Sequence, residues 1–128
     1  MKHPLVVNLE VSTNKGEDAH LIFPENPESS ELLFIGVFDG LGGRSAGYNG
    51  LTGGKIASSE TADCIRKFLK QNTGNFTQLK AIYLQKTICN FLKEKADQNM
   101  PPSKLRGSLA GKRLCTTLAM AGINTDAN

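Results

Sequence analysis

The feature that most constrains this chain is the segment from Leu32 to Gly47, LLFIGVFDGLGGRSAG. Leu32, Leu33, Phe34, Ile35, Val37 and Phe38 form an apolar run broken only by Gly36. A run that short, and that rich in β-branched and aromatic residues, reads as a strand over residues 32–38 buried on both faces. It closes on a carboxylate, Asp39. A charge at the end of a buried strand costs desolvation unless something pairs or binds it. Gly40, Gly42 and Gly43 follow, and glycine lets a ligand approach the main chain closely. An acid at a strand tip with bare backbone beyond it suits a hard cation such as Mg²⁺ or Mn²⁺, which takes oxygen ligands. Asp39-Gly40 also reads as a surface turn, because Asp-Gly is a favoured turn dipeptide.

Two nucleotide-binding motifs fail on inspection. Gly54-Lys55 ends a P-loop only if Gly stands at 49 and Ser or Thr at 56, and the chain has Asn49 and Ile56. A dinucleotide fingerprint begun at Gly40 and Gly42 needs Gly or Ala at 45, where Ser45 stands. It also needs a helix at once, whereas a glycine-rich coil is expected as far as Gly54.

With 128 residues there is room for one domain. Cys64, Cys89 and Cys115 are odd in number, far apart and in no metal-ligand spacing, so they read as reduced core residues of a cytoplasmic protein. No run approaches the roughly 18 apolar residues of a membrane span. Asn8 and Glu10 interrupt the N-terminal apolar run, which argues against a signal peptide. Charge is uneven: residues 1–60 carry four Lys and Arg against eight Asp and Glu, and residues 61–128 carry eleven against four. The basic residues are dispersed along helices without interleaved aromatics, so they read as a solvated face and not a nucleic-acid footprint.

Along the chain, alternation predicts a strand over 4–11, and a second over 19–23 preceded by Glu17-Asp18. A Pro-rich loop then leads to the strand over 32–38. Two apolar runs so joined are expected to pair antiparallel, which brings Glu17-Asp18 alongside Asp39. Three carboxylates would then converge at one sheet edge and repel one another, and a bound divalent cation relieves that. A helix is expected over about 55–71, with Ala57, Thr61, Cys64, Ile65, Phe68 and Leu69 inward and Arg66, Lys67 and Lys70 outward. A second over about 76–97 presents Ala81, Leu84, Ile88, Phe91 and Leu92. Leu79, Ile82, Tyr83 and Cys89 widen its stripe, as if it packed on both a sheet and the first helix. Residues 98–111 read as a loop, and a β-prone segment covers about 113–122.

Glu17-Asp18-Ala19 on an early strand, GVFDGLGG some twenty residues later, two long helices and Cys115-Thr116-Thr117 together resemble the metal-dependent (type-2C, PPM-type) protein serine/threonine phosphatases. The resemblance covers nearly the whole chain, but about the first half of that family's catalytic domain. It implies an α+β fold, an antiparallel β-sandwich flanked by helix pairs. It implies that Asp39 bridges two Mg²⁺ or Mn²⁺ ions, that the Gly40 carbonyl ligates one, and that Glu17 and Asp18 hold metal-bound waters. The implied activity is hydrolysis of phosphoserine or phosphothreonine on proteins by metal-activated water.

There are departures. The family's arginine four residues before the Glu is Thr13 here, leaving Lys15 as the nearby substrate-phosphate candidate, a point charge without the guanidinium fork. Leu41 stands where some members have histidine. The later Asp-Gly-x-x-Asp and Gly-x-x-Asp-Asn motifs are absent, and Asp126 fits neither. The expectation is therefore a partial domain without hydrolysis of its own, prone to self-association through uncovered strand edges. A catalytically inactive, partner-binding phosphatase-like module and a truncated gene product are the alternatives. His3 and His20 read as surface or satisfied histidines, Thr116 and Thr117 as plain strand residues, and Arg44 as uncommitted.

Overall fold

The computed structural model describes residues 16–25, 32–41, 45–48, 51–72, 80–99 and 114–124. The expected strand over 4–11, with His3, Thr13, Lys15, Arg44 and Asp126, lies outside them. The elements are β1 (Asp18–Phe23), β2 (Leu32–Leu41), β3 (Ser45–Tyr48), β4 (Leu51–Thr52), α1 (Gly53–Gln71), α2 (Ala81–Asn99), β5 (Cys115–Thr116) and β6 (Ala119–Asn124). The result is a mixed fold of helix and antiparallel sheet. β2 is the centre of a four-stranded sheet, with β1 on one side and both β5 and β6 on the other.

β1 and β2 pair antiparallel from Asp18 opposite Asp39 to Phe23 opposite Phe34. Side chains alternate across a strand. Ala19, Leu21 and Phe23 therefore share a face with Phe34, Gly36, Phe38 and Gly40, and that face meets the helices. Leu21, Phe34 and Phe38 pack there with Ile56, Ala57, Ala62, Ile65 and Leu69 of α1. The opposite face is not buried along its length. Leu33 is fully enclosed, but Val37 and Leu41 are 50% and 52% exposed. The expectation of a strand buried on both faces is corrected: an unbroken apolar run does not reveal whether a second layer covers it.

α1 starts at Gly53, two residues before the expected position, because Thr52 caps it: the Lys55 N–H donates to Thr52 Oγ1 at 3.2 Å. It ends at Asn72, whose main-chain and side-chain amides both donate to the Phe68 carbonyl, at 3.1 and 2.8 Å. α2 buries Leu84, Ile88, Leu92 and Ala96, a four-residue repeat against α1. The wider stripe does not hold. Ile82 and Tyr83 are 70% and 63% exposed, Ala81 and Cys89 are exposed too, and α2 lies chiefly on α1. Cys89 is thus not the core residue expected, whereas Cys64 and Cys115 are half-buried, and all three are free thiols.

Two further corrections concern coil. The segment before Gly54 contains the short β3–β4 pair, joined through Ser45–Thr52 and Tyr48–Leu51. Residues 98 and 99 continue α2 where a loop was expected. Among the described residues no helix is long and apolar enough to cross a membrane.

Candidate metal centre

The centre lies at the end of the sheet where β1 begins and β2 closes. Antiparallel register sets Asp18 directly opposite Asp39, so their side chains share one face, and both residues are exposed. Among the described residues neither makes an ion pair. Directly opposed like charges destabilise a strand pair. The pair concentrates negative charge on the exposed face at this end of the sheet.

Glu17 sits at the same end but on the other face. Its carboxylate lies beside the start of α1, where a Cβ built on Gly54 would stand 2.7 Å from Glu17 Oε2. The positive end of a helix favours a carboxylate there. Its Oε1 is buried without a hydrogen-bond partner among the described residues. The structure thus brings the main chains of all three acidic residues to one end and sets two of their side chains on one face. Alternation explains the split, since adjacent residues of an extended chain point to opposite sides. Accordingly, no three His, Cys, Asp or Glu side chains among the described residues gather as a ligand set.

Gly40 is where close approach is mandatory. A Cβ there would land on the Gly54 carbonyl and within 2.8 Å of the Glu17 carbonyl oxygen. Strand β2 and the first turn of α1 therefore touch backbone to backbone. The Gly40 N–H donates to the Glu17 carbonyl at 3.3 Å.

Four further side chains hold this end, all through main-chain atoms. Ser58, fully buried on α1, donates its one hydroxyl proton to the Glu17 carbonyl at 2.6 Å, with the Lys55 carbonyl also near it at 3.1 Å. Lys55 Nζ donates to the Asp18 carbonyl at 2.9 Å. Thr116 Oγ1 donates to the Asp39 carbonyl at 3.0 Å. Thr117 Oγ1 accepts from the Asp39 N–H at 3.1 Å. The main chain is fixed while the Asp18 and Asp39 carboxylates stay uncommitted among the described residues.

Sequence reasoning passed over Ser58, Lys55, Thr116 and Thr117 as supports. A hydroxyl that bonds main chain carries no spacing signature. For one hard cation the exposed face offers two carboxylates, with water for the rest of the shell, while the close approach that Gly40 permits is taken up by Gly54 of α1. Lys15 lies outside the described residues. Comparison with family models, with curated proteins and with solved structures found no match.

Proposed function

We propose that the Asp18–Asp39 end of the sheet holds a Mg²⁺ or Mn²⁺ ion as part of a metal-dependent phosphatase site acting on phosphoserine or phosphothreonine in proteins. The observation that carries this reading is the cross-strand pairing of the two aspartates beside Gly40. Two carboxylate oxygens suit a hard cation, the resemblance implies the Gly40 carbonyl as a further ligand, and Mg²⁺ ordinarily keeps several waters as well. When bound, the metal supplies Lewis-acid activation of water and neutralises phosphoryl charge.

The chain's own residues do the holding. Ser58 and Gly40 fix the carbonyl of Glu17, Lys55 fixes that of Asp18, and Thr116 fixes that of Asp39. Asp18 and Asp39 then present charge from a pre-set backbone. The Lys55 ammonium brings one positive charge to this end, within reach of an anionic substrate group. In this reading the uncovered face around Val37 and Leu41 receives the second layer of a sandwich, which supplies the remaining ligands for a second ion.

The test joins this chain to a second half of the phosphatase type and measures Mn²⁺-dependent hydrolysis of an aryl phosphate and a phosphothreonine peptide. Hydrolysis is expected in the joined protein and lost in its Asp39→Asn variant. Hydrolysis that survives Asp39→Asn contradicts the reading.

A further inference from the structure

We propose that Thr117 is a positioning residue for Asp39, its hydroxyl replacing a sheet carbonyl so that the aspartate's main chain is locked for cation binding. The inference rests on the reading of Asp39 as a cation ligand.

β5 and β6 form one register. Gly40 faces Thr116 and Val37 faces Ala119. Counting inward from either side sets Asp39 opposite Thr117, so Asp18, Asp39 and Thr117 form a row across three strands. An antiparallel pair of the hydrogen-bonded kind exchanges two bonds, each N–H donating to the other's carbonyl. Here one is normal: the Thr117 N–H donates to the Asp39 carbonyl at 2.8 Å. The return bond is not. The Asp39 N–H donates to Thr117 Oγ1 at 3.1 Å. The Thr117 and Asp39 carbonyls instead share the single Thr116 hydroxyl proton, each lying 3.0 Å from Thr116 Oγ1.

The sheet is therefore interrupted at Thr117 and Leu118, opposite the acidic tip of β2, and regular pairing resumes on both sides. Both peptide groups flanking the Asp39 Cα stay bonded through the interruption. That fixes the direction of its side chain without engaging the carboxylate. Groups that orient a metal ligand from behind typically contribute about 10- to 100-fold in affinity. A strand irregularity with only a structural purpose would alter stability and leave cation affinity untouched.

The test is Mn²⁺ affinity, read from the paramagnetic resonance of free Mn²⁺, for the full chain and its Thr117→Val and Thr117→Ser variants. Thermal unfolding is followed without metal in parallel. Thr117→Val removes the acceptor and keeps the shape, and affinity is expected to fall about tenfold. Thr117→Ser keeps the hydroxyl and should stay within about twofold of wild type on the same reasoning. If Thr117→Val does not fold, Thr117→Ala is read in its place. Unchanged affinity without the hydroxyl, or equal loss in Thr117→Ser, overturns this inference and leaves the Asp39 reading standing. Wild-type chain with no Mn²⁺ affinity overturns both.

Discussion

Asp18 and Asp39 face each other across β1 and β2, with both carboxylates on the sheet face that α1 leaves uncovered. Like charges so placed destabilise the strand pair relative to a neutral one. The arrangement is unfavourable for folding alone, and the proposed cation would relieve it.

The first prediction follows from that opposition. Asp18→Asn should raise the metal-free stability of the chain by a few tenths of a kcal/mol, up to about 0.5 kcal/mol. It should weaken Mn²⁺ binding at the same time. Urea denaturation without metal and a Mn²⁺ titration read the two effects separately. Loss of stability in the metal-free variant would mean that Asp18 is held by a favourable contact.

Glycine at 40 is required by contact with Gly54. Gly40→Ala should destabilise by about 3 kcal/mol, the upper range for forcing an extra group into a packed site. Gly122 offers the control. A Cβ there meets only the Phe34 ring edge, at 3.0 Å, on an exposed strand. Gly122→Ala should cost less than about 1 kcal/mol. Similar denaturation midpoints for the two variants would contradict the close backbone approach.

Two buried hydroxyls on α1 should behave oppositely. Ser58 donates its hydroxyl proton to the Glu17 carbonyl, and Ser58→Ala should cost about 1–2 kcal/mol. Thr61 is fully buried and its Oγ1 has no partner among the described residues. Thr61→Val should be neutral or stabilising, because an unmatched polar group leaves the core. Chemical denaturation of the pair decides the matter.

Burial pushes the Cys64 thiol above its ordinary 9.0; nearby Lys67 opposes the shift and Glu60 adds to it. The folded chain thus holds this proton more tightly than the unfolded chain. Its contribution to stability is intact below pH 9.0 and declines as pH rises above that value. Exposed Cys89 should react with a thiol reagent before Cys64 at neutral pH. Mass-spectrometric mapping of the first modified site checks this, and first labelling at Cys64 would contradict it.

How much of this was legible in the sequence depends on the kind of signal. The pairing of β1 with β2 was, because two apolar runs joined by a Pro-containing loop leave few alternatives. Asp39 stood out because a charge ended an apolar run. The β3–β4 pair was missed. Ser45-Ala46-Gly47-Tyr48 is weakly β-prone, and Asn49-Gly50 does not stand out as a hairpin turn in a stretch so rich in glycine. Which carboxylates share a face was readable from alternation alone, since Glu17 and Asp18 are adjacent. The exposure of Ile82 and Tyr83 was not, because a broad helical stripe does not say how much of it the neighbour covers. The hydroxyl of Thr117 looks like any strand threonine until the bond to Asp39 is seen.

The most direct measurement is to add substoichiometric Mn²⁺ to isotope-labelled chain and follow which backbone amide signals broaden. The account predicts selective broadening at Asp18, Asp39, Gly40, Thr116 and Thr117, abolished by Asp39→Asn. Broadening centred on the surface carboxylates Asp63 or Asp97, or unaltered by Asp39→Asn, would contradict it.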